Sequence, residues 1–395
     1  MEKLNSIQPQ ERIISMDIMR GFAIFGIFLV NMISFHSPFL YIDPLKWWDG
    51  TLNTVTYSFI DIFAQASFYP LFSMLFGYGL VILRERTLAK GINFVALSAR
   101  RLTLLLGIGC IHAFLIWHGD ILINYAIFGF ILLLFLRLSG KAMMITGALL
   151  YIIPNILFGL LIVVSIMFAP EGELDLTDMQ SANRSLETYQ NGSFVDITEQ
   201  RFEDWYSVNN LANFIIMFFN IFPLFLLGGG AAKLKWLENV RKYKKMFTII
   251  VITTLILGLG IKVAPYLFEK NLALEFFQDF FGGSLLTIAY ALGIALLTEV
   301  VSTRKVITIF APVGKLAISN YLFQSIVSTT IFYSYGFRLY GQFSVFQGIL
   351  LALFIFSIQV IISHIWIKYY LYGPVEWLWR SFTYMKWQKL KKSKA

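Results

Sequence analysis

RRLTLLLGIGCIHAFLIWHGDILINYAIFGFILLLFLRLSGK, residues 100–141, holds two apolar runs joined by His118-Gly119-Asp120 and closed at both ends by basic residues. Each run is close to the roughly 20 residues that carry a helix across a hydrocarbon core. So short a connection makes the two helices antiparallel neighbours. The same pattern continues in both directions. Apolar runs lie near 14–36, 58–83, 101–118, 121–137, 142–168, 209–232, 246–266, 282–300, 307–332 and 345–370, and the connections between them are basic and non-basic in alternation.

One set of connections holds Lys3, Arg12, Arg84, Arg86, Lys90, Arg100, Arg101, Arg137, Lys141, Lys233, Lys235, Arg241, Lys242, Lys244, Lys245, Arg304 and Lys305. It also includes the tail residues Arg380, Lys386, Lys389, Lys391, Lys392 and Lys394, making 23 of the 32 Lys and Arg. The other set holds six: Lys46, Arg184, Arg201, Lys262, Lys270 and Arg338. Lys and Arg accumulate in cytoplasmic loops. The expected fold is therefore an all-α integral membrane protein of about ten transmembrane helices, with both termini in the cytoplasm.

Composition agrees. Of 395 residues 57% are hydrophobic and 14% charged, against roughly 25% charged in soluble domains. The net charge of +9 then reports topology, and no nucleic-acid partner is expected. The first apolar run is too long for a signal-peptide core, lacks a small-residue cleavage site and contains Arg20, so it is expected to stay as the first span. One cysteine, Cys110, excludes an intrachain disulfide and a cysteine metal cluster, and four histidines (His36, His112, His118, His364) give no reason to expect a metal.

The chain reads as a single polytopic membrane domain over 1–395, with a basic cytoplasmic tail at about 373–395 that can touch membrane lipids. One external insertion, about 169–208, carries Glu171, Glu173, Asp175, Asp178, Glu187, Asp196, Glu199, Glu203 and Asp204. It is either a solvated acidic loop or a partial lid over an outward-facing site. Phe194, Val195, Phe202, Trp205 and Tyr206 supply an apolar face for an amphipathic segment. Gly77 and Gly79, and Gly228-Gly229-Gly230, are small-residue faces that pack helices within the chain or between two copies, so a homodimer is open.

A charge inside a span is costly unless paired or hydrated, and points to function by default. Asp17 and Arg20 share a face of the first span: either an ion pair that starts the helix, or guanidinium donors for a phosphate or carboxylate. Asn31 lies further along, either as a helix-bridging residue or as part of a site. Asp61 and Gln65 share a face of the second span. The densest cluster is His112, His118, Asp120, Asn124 and Tyr125. There a histidine able to move a proton lies near a carboxylate able to hold its tautomer, as general-base catalysis requires. Lys315, Ser319, Asn320, Tyr321 and Gln324 enrich the ninth span with polar groups that bind a ligand or bridge helices. His364 reads as structural, and Glu376 and Arg380 as a surface ion pair.

These residues resemble a known family. Asp17-Ile-Met-Arg20-Gly21-Phe-Ala-Ile with Asn31, Leu75-Phe-Gly-Tyr-Gly79, Gly109-Cys-Ile-His112-Ala, Gly119-Asp120-Ile-Leu with Tyr125, Asn320-Tyr321-Leu-Phe-Gln-Ser325 and Gly373-Pro-Val-Glu-Trp-Leu-Trp-Arg380 are similar, in order, to the YeiB family of bacterial membrane proteins, long catalogued as a domain of unknown function. The matches run from 17 to 380. That family is grouped with transmembrane acyltransferases, among them heparan-α-glucosaminide N-acetyltransferase and enzymes that decorate surface glycans of the cell envelope. The resemblance implies the bacterial cytoplasmic (inner) membrane, acetyl-CoA or another acyl-CoA as cytoplasmic co-substrate, and an unidentified acceptor reached from outside. In the glucosaminide enzyme an asparagine in the first span and a histidine just after it serve the chemistry. Asn31 matches the asparagine, whereas the nearest histidine, His36, follows at a shorter spacing.

The expected function is acyl transfer to a hydroxyl or amine. Arg20, Arg100 and Arg101, with Asp17 beside them, would meet the CoA phosphates, because arginine forks phosphate bidentately. His112, oriented by Asp120, or alternatively His118, would act as base. Asn31 would donate to the thioester oxygen, and Asn124, Tyr125, Ser319, Asn320 and Gln324 would contact substrate. A transporter or flippase of a small anion or lipid precursor is the alternative, and a structural or sensory protein a third.

Overall fold

The computed structural model describes residues 13–168, 177–268 and 270–392. Lys3, Arg12, Glu171, Glu173, Asp175 and Lys394 lie outside the described residues. The chain is helical: α1 (Ile14–His36), α2 (Pro44–Trp47), α3 (Thr51–Phe63), α4 (Phe68–Ala89), α5 (Phe94–Ile111), α6 (Leu122–Phe135), α7 (Gly140–Phe168), α8 (Met179–Asn191), α9 (Phe194–Asn209), α10 (Leu211–Lys233), α11 (Val240–Leu267), α12 (Leu272–Phe277), α13 (Gly283–Thr298), α14 (Val301–Ile307), α15 (Ala311–Lys315), α16 (Ala317–Phe332), α17 (Val345–Tyr369) and α18 (Pro374–Thr383). Among the described residues the only β pairing is an isolated bridge between Tyr370 and Lys391.

Among the described residues, eight helical segments are long and apolar enough to cross a membrane: Ile14–His36, Thr51–Ala89, Phe94–Ile116, Gly140–Phe168, Leu211–Lys233, Val240–Leu267, Leu272–Thr298 and Val345–Tyr369. Val301–Lys315 with Ala317–Phe332 makes a ninth, bent by 78° at its break. Leu122–Phe135 is apolar but only 14 residues long. Each apolar run read from the sequence carries one of these. The protein is a multi-pass membrane protein.

Solvation sorts the helices. In α1, 61% of the apolar window is buried inside the protein, in α7 only 17%. Ile145, Leu149, Ile152, Ile153, Ile156 and Leu157 of α7 all face outward. Such an apolar surface calls for lipid as its solvent. The centre is α1, which packs on α4, α15, α16 and α17, while α10 lies between α4 and α7.

Glycine sets the closest approaches. A Cβ at Gly77 would stand 2.0 Å from the Phe225 carbonyl oxygen, and one at Gly228 would stand 1.9 Å from that of Met74. Backbone therefore meets backbone where α4 crosses α10, as small residues allow in membrane helices. Gly229 and Gly230 face Met143 and Met144 of α7, so these faces serve packing within the chain.

Capping residues start several helices. Ser193 with Asp196, and Ser344 with Gln347, form capping boxes, and Asn93, Asp178 and Asn210 each accept a backbone N–H of the first turn.

The insertion is structured. Where described it is the pair α8 and α9, with Tyr189, Arg201 and Asp204 buried against the spans. Of the apolar face read from the sequence, Phe194, Val195, Phe202 and Tyr206 are more than half exposed, while Trp205 is half-buried, its ring 5.1 Å from that of Phe114.

Candidate active site

After Ile111 the fifth helix widens into a π turn, His112–Ile116, before the chain leaves it at Trp117. Single π turns inside α-helices are rare and collect at functional sites. This one points His112 inward, with no exposed surface. The imidazole joins two other elements. Nδ1 lies 2.9 Å from Asp120 Oδ1 and Nε2 lies 2.8 Å from Ser325 Oγ of α16. The second carboxylate oxygen, Asp120 Oδ2, accepts the Ile123 N–H at 2.8 Å, at the start of α6.

With Asp120 ionised, the proton on the His112–Asp120 bond sits on Nδ1. In the neutral imidazole Nε2 is then bare to accept the Ser325 hydroxyl proton at 2.8 Å, a closer acceptor than the Tyr321 carbonyl at 3.4 Å. Asp120–His112–Ser325 is thus a directed chain in which the base is oriented on one side and loaded with a hydroxyl on the other. Tyr321, one turn before Ser325, sets its ring 4.9 Å from the imidazole at a tilt of 47° and donates from its hydroxyl to the Gly119 carbonyl at 3.1 Å.

A second histidine–aspartate pair lies on the other side of Trp117, whose ring is 6.2 Å from His112 and 5.4 Å from His118. His118 Nδ1 is 3.5 Å from Asp204 Oδ2 and Nε2 is 3.5 Å from Ser34 Oγ of α1. Asp204 also accepts from Tyr41 and Tyr189 hydroxyls at 2.6 Å each and from Gln200 Nε2 at 2.8 Å. His118, Asp204, Ser34 and Tyr41, with Ser37, Ser185 and Tyr340, line a small hydroxyl-rich pocket beneath the insertion. Burial pulls the His118 pKa down, and the Asp204 carboxylate opposes this in part. The same burial, with Asp204 adjacent, raises the Tyr189 hydroxyl far above its ordinary value, so both act as neutral partners near pH 7.

At the opposite end of α1, Arg20 lies 3.7 Å from Asp17. Arg101 lays its guanidinium 3.6 Å over the Trp379 ring of α18, and Arg380 lies 4.5 Å over Tyr372. Arg101 feels the charges of both Arg20 and Arg380. Three cations therefore face one region between α1, α5 and α18, the electrostatics of an anion site. Arg100 is exposed and donates to the Thr383 carbonyl at 3.4 Å.

The remaining sequence candidates divide. Asn31 is half-buried on α1, one turn before Ser34. Ser319 caps to Glu376, Asn320 donates to the Val313 carbonyl and to Ser363, and Gln324 donates to Gln359. These three bridge helices around the break at Leu316, and their side chains are spent on that. Asn124 donates to Asn209 at the end of α9, and Tyr125 bonds Ser73 and the Tyr69 carbonyl of α4. His36 sits against Trp48, Phe332 and Phe343 with neither ring nitrogen bonded among the described residues. It takes no part in the proton chain. His364 bonds the Val360 carbonyl one turn back, as a structural residue does.

One surface reading needs correction. Glu376 does not pair with Arg380. Its Oε1 accepts the N–H groups of Ile318 and Ser319 and its Oε2 accepts the Ser319 hydroxyl. The first turn of α16 has unsatisfied N–H donors, and a carboxylate there outcompetes a solvated ion pair.

Sequence reasoning gave no site role to Ser325, Asp204 or Tyr189, and read Arg380 only as a surface ion-pair partner of Glu376. Ser325 falls within the quoted Asn320–Ser325 motif, and its spacing of four from Tyr321 was the available signal. Nothing in the sequence separates Asp204 from the other acids of the insertion.

The model for the family described as a protein of unknown function, DUF418, matches residues 231–386. The uncharacterized protein YxaH of Bacillus subtilis (strain 168) is 37% identical over 98% of this chain and 99% of its own length. The uncharacterized protein YeiB of Escherichia coli (strain K12) is 28% identical over 94% of this chain and 96% of its own. With full-length similarity of that order to YxaH, and the DUF418 match over its C-terminal spans, the chain belongs to the DUF418 family, that of YxaH and YeiB.

Proposed function

We propose that the protein is a membrane-embedded acyltransferase that moves an acyl group, acetyl in the simplest case, from cytoplasmic acyl-CoA to a hydroxyl or amine acceptor reached from the other face. The observation that carries this reading is the buried Asp120–His112–Ser325 chain, an oriented base holding a hydroxyl inside a membrane domain. In this reading ten helices cross the bacterial inner membrane with both termini in the cytoplasm, and the basic end is cytoplasmic. Arg20, Arg101 and Arg380 hold the donor phosphates there, in place of the Arg20, Arg100 and Arg101 set expected from sequence. From Arg20 to Ser34 is 14 residues of α1, or about 20 Å at 1.5 Å per residue. A donor with a long flexible arm spans that distance from the arginines to the level of His118, which Ser34 approaches at 3.5 Å. Asn31 stands along the same helix to donate to the thioester oxygen as charge develops. The acceptor approaches from the side of the hydroxyl-rich cluster at His118, which is closed in this structure.

The test is thermal shift of the detergent-solubilised protein with acetyl-CoA, beside Arg20→Ala and His112→Ala. Stabilisation that Arg20→Ala weakens and His112→Ala keeps supports the donor site. Folded protein that no short acyl-CoA stabilises refutes it.

A transporter is the second reading, favoured by a separate buried cluster. Lys262, fully buried in α11, pairs at 3.1 Å with Asp279 on the π turn Gln278–Gly282, and Asp61 nearby accepts from Tyr266 at 2.7 Å and Gln278 at 2.6 Å. Intramembrane ionisable groups beside irregular helix suit an ion or proton path. Release of free CoA by the purified protein separates the two.

A further inference from the structure

We propose that Ser325 is itself acylated and carries the acyl group as an oxygen ester between donor and acceptor. The inference rests on the acyltransferase reading and deepens it. Its ground is occupancy: the one ring nitrogen of His112 free to take a proton already holds the Ser325 hydroxyl at 2.8 Å, while the other is fixed by Asp120 at 2.9 Å. The first proton this base can remove is the protein's own.

Direct transfer to an acceptor would require Nε2 to release Ser325 and leave its hydroxyl, 1% exposed as a residue, with only the Tyr321 carbonyl at 3.4 Å. The second pair, His118–Asp204, lies across Trp117 in a pocket lined by neither His112 nor Ser325, so it does not compete for the Ser325 proton. Ser325 also sits between two irregular pieces of helix, the π turn at His112 and the 78° break before Ala317. Irregular turns of this kind collect at functional sites.

The step balances. Ser325 Oγ gives its proton to His112 Nε2 and bonds the thioester carbonyl carbon. The C–S bond breaks, and the proton passes from Nε2 to the leaving sulfur, releasing CoA thiol. In the second half the acceptor's proton goes to Nε2 as its oxygen or nitrogen bonds the ester carbonyl. The C–Oγ bond breaks, and Ser325 recovers the proton. His118, held by Asp204, positions the acceptor.

The experiment incubates purified protein with radiolabelled acetyl-CoA and no acceptor, followed by denaturation and peptide mass spectrometry. Wild type is expected to hold label on the Ser325 peptide, stable to neutral hydroxylamine and released by alkaline hydroxylamine, as an oxygen ester is. Ser325→Ala should lose the label and lower CoA release by at least on the order of a hundredfold, while its thermal stabilisation by acetyl-CoA persists. Ser325→Cys should restore a label that neutral hydroxylamine removes, the signature of a thioester. If wild type transfers acetyl to an acceptor but carries no label on rapid quenching, and Ser325→Ala turns over at the wild-type rate, the acyl-serine is overturned and the acyltransferase stands. If wild type neither binds acetyl-CoA nor releases CoA, both fall.

Discussion

Replacing Asp120 by asparagine removes one negative charge and no volume, and the structure dictates which way the new amide must face. Asp120 Oδ2 accepts the Ile123 N–H at 2.8 Å while Oδ1 faces His112 Nδ1 at 2.9 Å. The buried Ile123 N–H needs an acceptor, so the asparagine oxygen goes there and its NH2 turns to the imidazole. Nδ1 must then accept, the ring proton moves to Nε2, and Nε2 donates to Ser325 instead of accepting from it. The base is present in place but in the wrong tautomer. The same substitution in serine-protease triads costs on the order of 10^4 in rate, which is about 5.5 kcal/mol of transition-state stabilisation. Folding loses far less, about 1–2 kcal/mol for one charge-assisted hydrogen bond made neutral. The assay is release of CoA from acetyl-CoA, followed with a thiol reagent, beside a thermal melt. Asp120→Asn should melt within a few degrees of wild type and be nearly inactive, and nitrogen chemical shifts of labelled histidine should report the exchanged tautomer. A folded variant with wild-type turnover, or with the wild-type tautomer, would refute the reasoning.

Other outcomes follow from single contacts. Gly228→Ala sets a methyl against the Met74 carbonyl and should destabilise by about 1–3 kcal/mol, whereas Gly293→Ala, with open space around it, should be neutral or gain up to about 1 kcal/mol; detergent melts compare them. Burial is the larger influence on Glu376 and raises its pKa above the ordinary 4.5, with the Ser319 hydrogen bonds opposing. A raised carboxyl contributes stability that is full below 4.5 and is lost as pH climbs through the folded value, so the wild-type melting temperature should fall relative to Glu376→Gln on that climb. His118 has the opposite sign: its lowered pKa contributes stability present above 6.5 and lost as pH drops through the folded value. Melts on either side of 6.5 should show wild type losing more on acidification than His118→Gln. Asp204→Ala strands the Tyr41, Tyr189 and Gln200 donors and should cost about 3 kcal/mol or more, read as earlier protease cleavage within the insertion.

How much of this was written in the chain differs by scale. Hydropathy alone placed the apolar helices, because a bilayer demands about 20 apolar residues wherever a helix crosses. The short Leu122–Phe135 and the broken Val301–Phe332 were legible as runs, but the 78° break at Leu316 was not, since an N-capping carboxylate 60 residues away stabilises it. His112 and Asp120 were legible as a pair because eight residues separate them across one turn, and few polar groups compete nearby. Tyr125 and Asn320 looked like site residues for the same reason, polarity in an apolar run, yet both spend their hydrogen bonds on neighbouring helices.

By itself, then, the sequence determined the solvent, the apolar helices, the charge asymmetry of their connections and the local His–Asp pairing, all functions of residues within a few turns of one another. Tertiary structure alone decided the partners of those groups. Ser325 reaches His112 across 213 positions, Asp204 reaches His118 across the insertion, and Arg380 returns from the tail to face Arg20 and Arg101. Such partnerships depend on which helices pack together, and backbone-to-backbone contacts such as those at Gly77 and Gly228 set that packing at distances no local pattern encodes.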